Sequence, residues 1–146
     1  MAARYQRGLA RRGVNGLVRL LLRLGTGPAG TYLLTVAGRR SGALRSTPVT
    51  LVEEGKRRWL VAPYGEVAWV RNLRAAGGAS LSRGGRAEEI AVREVGVEEA
   101  APVLKIYITR VPITRPFFDV GPESDLDAFR AEAPRHPVFA IVGRAS

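Results

Sequence analysis

Six short β-rich segments, most of them joined by connections of hairpin length, constrain the fold of this chain more than any other feature. Glycine-containing turns separate the first segment from the second and the fourth from the fifth, which is typical of β-hairpins. Parallel neighbours would need crossovers of a dozen or more residues, so antiparallel pairing is predicted. The segments are TYLLTVA, LRSTPVTLVEE, RRWLVA, ASLSR, RAEEIAVREV and HPVFAIVG. Because the chain has 146 residues, we expect one mainly β domain, closed into a small barrel with flanking helices.

Helical spacing is found between the predicted strands. Residues 67–76 form a predicted helix that ends at Gly77–Gly78, a common helix terminator. The segment VEEAAPVLKIYITR is a second predicted helix with two glutamates in its first turn, where the helix dipole favours acidic residues. PESDLDAFRAEA is a predicted short acidic helix, and the proline-containing segment between these two is predicted to be a loop.

The N-terminal part differs from the rest in character. Residues 1–28 are predicted to form a basic amphipathic helix and linker, and residues 29–146 the barrel domain. The helix extends from Arg4 to Leu24, and its leucines recur every three or four residues. Two interpretations stay open: the leucine stripe packs on the domain, or it lies on an anionic membrane surface.

The net charge of +10 is confined to the first two-fifths of the chain. Residues 1–58 hold twelve Lys and Arg against two Asp and Glu, whereas residues 59–146 hold eleven of each. This asymmetry predicts contact with an anion: nucleic acid, anionic lipid or a phosphorylated cofactor. Specific nucleic-acid binding is disfavoured, because the sequence has no aromatic pair on a basic strand and no zinc-finger or helix-turn-helix signal.

Composition excludes several kinds of chemistry. The sequence has no cysteine and one histidine, His136. Disulfides and thiolate nucleophiles are therefore excluded, and Ser-His catalysis and transition-metal sites are disfavoured. No apolar run is long enough to span a bilayer. A cytoplasmic location is expected, with membrane association through the N-terminal helix as the alternative.

The turn after the first predicted strand concentrates groups that bind phosphate. Arg39, Arg40 and Arg45 offer planar guanidinium donors, and Ser41 adds a hydroxyl. Gly42 allows conformations in which backbone amides point towards a ligand. A charged hairpin tip without a ligand is the alternative, but the clustering of three arginines with small donors favours an anion site.

A second candidate cluster lies on the predicted helix 67–76. Trp69 and Asn72 are three residues apart and so share one helix face. Trp69 is interpreted either as an ordinary core residue or as an aromatic wall, with an amide beside it, for a flat heterocycle.

Both clusters belong to a longer pattern. LLTVAGRRSGALRSTPV, followed by WLVAPYGEVAWVRNLRAAGGASL and the closing HPVFAI, resembles the deazaflavin (F420)-dependent nitroreductase and quinone reductase family of actinobacteria. The resemblance implies a flavin-reductase-like split β-barrel, related to FMN-binding pyridoxine-phosphate oxidases, with about six antiparallel strands. It also implies coenzyme F420, whose phosphate and oligoglutamate tail are anionic, as the cofactor. FMN in the same fold is the alternative cofactor, and a non-catalytic flavin-binding or lipid-binding protein is the alternative function.

Position by position, the resemblance assigns the phosphate and tail to the turn, the path to the ring to the second strand, and the ring to the third strand end and the helix. The implied cofactor-binding residues are Arg39, Arg40, Ser41, Gly42, Arg45, Thr47, Pro48, Ala62, Pro63, Tyr64, Trp69 and Asn72. The chain departs from the pattern after the third strand, where family members often carry a serine and a lysine and this sequence has PYG.

The resemblance further implies hydride transfer to a quinone, a nitroaromatic or another lipophilic unsaturated acceptor. Tyr64 and Tyr107 are the predicted catalytic residues, as donors of a proton or hydrogen bond. Tyr107, Phe117 and Phe118 are predicted to line the acceptor pocket, with ordinary core packing as the alternative. Barrels of this kind often form homodimers, so a second copy is an expected partner alongside the small-molecule acceptor.

Overall fold

The computed structural model describes residues 30–144 without the side chain of the last one. The strands of this part are β1 (Thr31–Ala37), β2 (Leu44–Glu54), β3 (Arg57–Val61), β4 (Gly78–Arg83), β5 (Arg86–Glu94) and β6 (Val138–Arg144). Its α-helices are α1 (Ala68–Ala76), α2 (Val97–Arg110) and α3 (Leu126–Glu132), with short 3-10 helices at Pro112–Phe117 and Ala133–Arg135. The predicted N-terminal helix and the domain boundary at residue 28 lie outside the described residues.

The described strands form a closed antiparallel barrel in the order β1-β2-β3-β6-β5-β4, and β4 pairs back to β1. The pairing of β1 with β2 ends at Ala37 and Leu44, next to the turn that joins them. Leu33, near the start of β1, lies opposite Ser82, near the end of β4. The β1–β2 turn and the β4–β5 hairpin therefore lie at opposite ends of the barrel. The antiparallel barrel predicted from the strand spacing is confirmed.

Alternate residues of the strands point into the barrel and fill its interior. On β1 these are Leu34 and Val36, as expected for a strand in which successive side chains face opposite sides. Helix α1 closes one end of the barrel, because Val70 and Leu73 are fully buried in the same cluster. The barrel-interior cluster consists of Leu34, Val36, Val49, Leu51, Leu60, Ala62, Val70, Leu73, Ala79, Leu81, Ile90 and Phe139.

Helices α2 and α3 pack on the outside of the barrel and form a second hydrophobic cluster. Trp59 and Val61 face this side, whereas Leu60 between them faces the interior. The second half of strand β3 is thus buried on both faces, which explains why three apolar residues follow its two arginines. The outer cluster consists of Val52, Trp59, Val61, Ala100, Ala101, Val103, Leu104, Tyr107, Ile108, Phe118, Phe129, Ala133, Val138 and Ala140.

Two local predictions were wrong in detail. The segment predicted to be a loop forms the 3-10 helix Pro112–Phe117, because a proline needs no amide partner at the start of a helix and its φ is already suitable. The acidic helix predicted from residue 122 begins only at Leu126. The side chain of Asp125 accepts a hydrogen bond from the Ala128 amide at 2.9 Å and so fixes the start of α3.

Candidate anion-binding site

The β1–β2 turn is held in one shape by hydrogen bonds among its own residues. The Gly38 amide donates to the Ala43 carbonyl at 2.8 Å, and the Gly42 amide donates to the Gly38 carbonyl at 2.8 Å. Gly42 has a φ of +73°, a conformation that favours glycine. The Ser41 Oγ accepts a hydrogen bond from the Ala43 amide at 3.2 Å. Ser41 therefore supports the turn, and its hydroxyl hydrogen is left to donate outwards.

Arginines are exposed at and beside this turn. Arg39, Arg40 and Arg45 all have exposed side chains, as does Arg71 on α1. Within residues 30–144, no Asp or Glu forms an ion pair with any of these four arginines. Their charges are therefore not neutralised by that part of the chain.

Asn72 joins helix α1 to the turn. Its Oδ1 accepts hydrogen bonds from the backbone amide of Arg39 at 3.1 Å and from the Arg39 Nη1 at 2.8 Å. The side chain is only 4% exposed. The structure thus brings together two residues that the sequence assigned to one site, and Asn72 fixes the position of Arg39.

A groove with a volume of about 450 Å³ lies between the turn and α1. Arg74 donates to Glu94 at 2.7 and 2.9 Å and to Glu66 at 3.1 and 3.2 Å. Hydrogen bonds to Glu94, and then to Glu66, raise the pKa of Arg74. Arg39 and Arg71 lack such partners among the described residues and give the groove its positive character. The residues that line it are Arg39, Glu66, Arg71, Arg74 and Ala75.

The sequence analysis did not assign Glu66, Arg71 or Arg74 to the site. Arg71 and Arg74 are three residues apart on a helix and so share a face. That spacing, next to Asn72, is a signal that could have identified them. The pairing of Arg74 with Glu94 joins residues twenty positions apart, and no local pattern predicts it.

Strand β2 places the next predicted residues between the turn and the barrel interior. Arg45, Thr47 and Val49 are each two positions apart on β2, so their side chains share one face. Val49 is buried in the interior cluster. Thr47 is half-buried and lies opposite Leu34 in the pairing with β1. Pro48 belongs to the opposite face of the strand. A path of decreasing exposure thus extends from Arg45 inwards.

The loop after β3 contains Ala62, Pro63 and Tyr64. The Ala62 amide donates to the Pro137 carbonyl at 2.9 Å, and the Ala62 side chain is fully buried. The ring of Tyr64, which is half-buried, meets the ring of Phe117 edge-on, with centroids 4.7 Å apart. Two of the aromatic residues predicted around the acceptor are therefore in contact.

The other predicted aromatic residues are divided between the two hydrophobic clusters. Trp69 packs against the barrel-interior cluster, and its ring centroid lies 6.4 Å from that of Phe139. Tyr107 and Phe118 are 3% and 6% exposed in the outer cluster. Burial raises the pKa of Tyr107 well above its ordinary value. Tyr107 does not line the groove, and its catalytic role stays a prediction.

Residues 30–144 contain no group of three His, Asp or Glu side chains placed to hold a metal ion. Among the helices described, none combines the length and the apolar character that crossing a bilayer requires.

Known proteins share the sequence pattern and the fold of this chain. The F420H(2)-dependent quinone reductase family matches residues 6–114. No curated protein matches at a significant level. Among solved structures, the chain is similar to the F420-H2 dependent reductase FDR-A, with 23% identity and a TM-score of 0.55 over 77% of this chain and 94% of that one.

Two further neighbours have similar barrels. One is described as a domain-swapped dimer, with 21% identity and a TM-score of 0.56, covering 90% of this chain and 98% of that one. The other is an FAD-binding protein from Mesorhizobium loti, with 12% identity and a TM-score of 0.51 over 88% of each chain. At these identities the likenesses establish the fold, and the predicted split β-barrel of the flavin-binding type is confirmed.

The charged groups of the turn and the groove suit the family's cofactor. Exposed arginines around a groove are the donors that a phosphate and a tail of carboxylates require. The family match covers more than half of the sequence. This chain belongs to the F420-dependent quinone reductase family, and its cofactor is coenzyme F420.

Proposed function

We propose that this chain is an oxidoreductase that passes a hydride from reduced coenzyme F420 to a quinone, a nitroaromatic or another lipophilic unsaturated acceptor. Membership of a family of F420-dependent reductases supports the reaction type. The observation that carries the proposal is the group Arg39, Arg40 and Arg45, exposed at the turn and without a carboxylate partner in residues 30–144. Arg39 also lines the groove. When bound, the cofactor supplies the hydride chemistry. The protein binds and orients the cofactor and the acceptor, and it excludes water from the site.

In this proposal the turn binds the anionic end of the cofactor. Arg39, Arg40 and Arg45 contact phosphate and carboxylate oxygens, and the Ser41 hydroxyl completes the set. Gly42 contributes through the shape of the turn, since its amide donates to the Gly38 carbonyl. A hydrogen bond that involves a charged group contributes about 1.5–3 kcal/mol. Because Asn72 already holds Arg39, less side-chain freedom is lost when the ligand binds.

The ring is proposed to lie deeper, where exposure decreases. Thr47 and Trp69 border the barrel interior, and the loop after β3 passes along the ring. An apolar site of this kind excludes water from the reacting atoms and strengthens electrostatic contacts. Tyr64 is the more accessible donor of a hydrogen bond to the acceptor, since Tyr107 is nearly inaccessible. The proposed ring-side residues are Thr47, Pro48, Ala62, Pro63, Tyr64 and Trp69, and the proposed acceptor residues are Tyr107, Phe117 and Phe118.

Fluorescence titration with coenzyme F420 and FMN side by side tests this proposal. We expect tighter binding of coenzyme F420, with an affinity that increases with the length of its oligoglutamate tail, because the groove adds Arg71 to the turn arginines. Equal or tighter binding of FMN would favour the FMN-dependent alternative. A screen of quinone and nitroaromatic acceptors with the reduced cofactor then separates an enzyme from a protein that only binds the ligand.

The double variant Arg39→Ala/Arg45→Ala tests the site itself. We expect its affinity for coenzyme F420 to fall by at least about tenfold, since two charge-assisted contacts are lost. The matched control is Arg86→Ala, which removes an exposed arginine at the β4–β5 hairpin, at the opposite end of the barrel. The assignment of the phosphate to this turn is wrong if the double variant and the control bind equally well.

We also propose that two copies of the chain associate. The structural neighbour described as a domain-swapped dimer supports this arrangement for the fold. Light scattering after gel filtration gives the mass in solution, and a monomer at micromolar concentration would contradict it. The predicted membrane contact depends on the N-terminal helix, which lies outside the described residues.

A further inference from the structure

The only histidine of the chain lies in a buried pair that the groove does not include. His136 is 3% exposed and Glu132 is 1% exposed. The His136 Nε2 lies 2.7 Å from the Glu132 Oε2, and the Nδ1 lies 2.9 Å from the Pro63 carbonyl oxygen. The imidazole also stacks on Phe118, with ring centroids 3.9 Å apart and planes 16° apart. The ring cannot turn without losing both polar contacts.

The partners of the ring determine which nitrogen carries hydrogen. A carbonyl oxygen can only accept, so the Nδ1 of His136 donates to Pro63. Glu132 is then the partner of the Nε2. It accepts a hydrogen bond when the Nε2 carries hydrogen, and it donates one when the carboxyl is protonated and the Nε2 is bare. The carboxylate is itself fixed, because it accepts from the Asp119 amide at 3.3 Å and from the Arg135 guanidinium.

The segment of residues 135–137, which contains His136, contacts the loop after β3 at three consecutive positions. Besides the bond from His136 to Pro63, the Pro137 carbonyl accepts from the Ala62 amide. Gly65 has a φ of +85°, and a Cβ there would lie 3.3 Å from the Arg135 carbonyl oxygen. Residues 135–137 therefore hold residues 62–65 closely. One residue further on, Glu66 lines the groove.

We propose that His136 and Glu132 are positioning residues that fix the Pro63–Gly65 loop, and so the backbone beside the redox ring. This inference rests on the proposed function, in which that backbone passes along the ring. A buried polar pair adds little stability compared with apolar residues of similar size. The pair instead fixes an orientation: the imidazole holds the Pro63 carbonyl group in one direction within the loop that is proposed to pass along the ring.

Nitrogen NMR of the imidazole tests the hydrogen-bond assignment in the protein without ligand. Because the chain has a single histidine, its ring signals need no assignment by mutation. We expect the 15N shift and the proton coupling of a protonated Nδ1. A neutral ring with hydrogen on Nε2 and a bare Nδ1 would overturn the proposal.

Variants separate positioning from simple packing. His136→Phe keeps the stacking on Phe118 but loses both polar contacts. The double variant Glu132→Met/His136→Phe also removes the buried carboxylate, so stability should recover towards that of the wild type. We expect the double variant still to bind coenzyme F420 about tenfold more weakly, the value of one lost hydrogen bond. We also expect faster amide exchange at Ala62 and Gly65.

A conservative pair of variants completes the test, and it remains useful if the phenylalanine variants do not fold. An asparagine amide can take the place of the Nδ1, and a glutamine amide that of the Nε2. His136→Asn should therefore recover slow exchange at Gly65 and most of the affinity, and His136→Gln should not. Equal behaviour of these two variants, or full recovery of affinity by the double variant, would show that the pair only packs.

Failure of this inference differs from failure of the proposed function. If the wild-type protein does not bind coenzyme F420, the proposed function is wrong, whereas the NMR and exchange results still decide whether His136 fixes the loop.

Discussion

The arginines of this protein have different surroundings in two regions. Along the outer helices, and on the strands and connections beside them, most arginines contact carboxylates: Arg110 donates to Glu54 at 2.6 Å, and Arg130 to Glu98 at 3.0 Å. At the β1–β2 turn, Arg39, Arg40 and Arg45 have no such partner in the part of the chain described. A paired surface arginine contributes modestly to stability and offers little charge to a ligand. An unpaired one keeps its charge for binding.

The difference has a cause in the sequence. Residues 1–58 contain only two acidic residues, Glu53 and Glu54. Both lie at the end of β2 that is far from the turn, and Glu54 contacts Arg110. The turn arginines therefore have no carboxylate close by in sequence. Uneven charge along the chain becomes uneven charge on the barrel, at the end where α1 and the groove lie.

Asn72 should show the largest effect in the turn region. We expect Asn72→Ala to lower the free energy of unfolding by about 2 kcal/mol, because Arg39 loses its partner at a buried site, and to weaken coenzyme F420 binding. Urea denaturation and fluorescence titration measure the two effects. Asn72→Asp removes the difference between the two regions directly. The aspartate still accepts hydrogen bonds from Arg39, but Arg39 then has a carboxylate partner. That variant should keep most of the stability and still bind more weakly; unchanged binding would contradict the argument.

Glu99 tests the paired region. Its Oε2 accepts from the Trp59 Nε1 at 2.9 Å. That bond, with Arg93 and Arg57 nearby, holds the pKa of Glu99 below its ordinary value. The stability contributed by the charged form is therefore full above the unfolded-state pKa and is lost as the pH falls through the lower folded-state pKa. Glu99→Gln should be about 1 kcal/mol less stable at neutral pH.

Urea denaturation from pH 7 to pH 3 measures this difference, which should shrink on acidification. Cofactor affinity at neutral pH should not change. Glu98→Gln, in an exposed pair, is the control. A constant difference at all pH values would show that the carboxylate charge is not the cause.

Glu66 lies where the two regions meet, since it lines the groove and pairs with Arg74. Glu66→Gln removes the negative charge and partly frees Arg74. We expect the affinity for coenzyme F420 at low salt to rise by about threefold, a value set by a partly screened charge. Glu94→Gln also releases Arg74 but does not line the groove, so its effect should be smaller. Weaker binding by Glu66→Gln would contradict the proposed position of the tail.

Arg130 should show the smallest effect. Arg130→Ala removes contacts with Glu98 and Asp127, and we expect only a slight loss of stability, as for other exposed pairs. Titration should give wild-type affinity for the cofactor. A clear loss of binding would mean that the paired region also contributes to the site.

Local sequence determined the elements more than their arrangement. The predicted bounds of β1, β2 and α2 agree with the structure, because glycine turns limit the strands and acidic residues mark the first turn of the helix. The pairing of β3 with β6, and of β4 with β1, joins residues far apart in the chain. Side-chain packing throughout the domain decides such long-range pairings. The sequence patterns therefore predicted a barrel but not the order of its strands.

The candidate site shows the same limit. Arginine clustering identified the turn, and helical spacing identified Asn72, but their contact spans thirty-three positions. Aromatic residues were harder to place, since Tyr107, Phe117 and Phe118 lie close in sequence yet differ in exposure. The local sequence is the same for an aromatic side chain that lines a pocket and for one that packs in the core. Neighbouring residues from distant segments decide between the two. The role of His136 likewise depends on Pro63, far away in the sequence.

The return of β4 to β1 has a consequence for how copies of this protein meet. Within residues 30–144 every strand has a neighbour on both sides over part of its length, so no strand offers its whole backbone edge to a further strand. Growth of one continuous sheet from molecule to molecule, the route to fibrils, would first require the ring to open. Contact between intact rings is therefore expected to rely mainly on side chains.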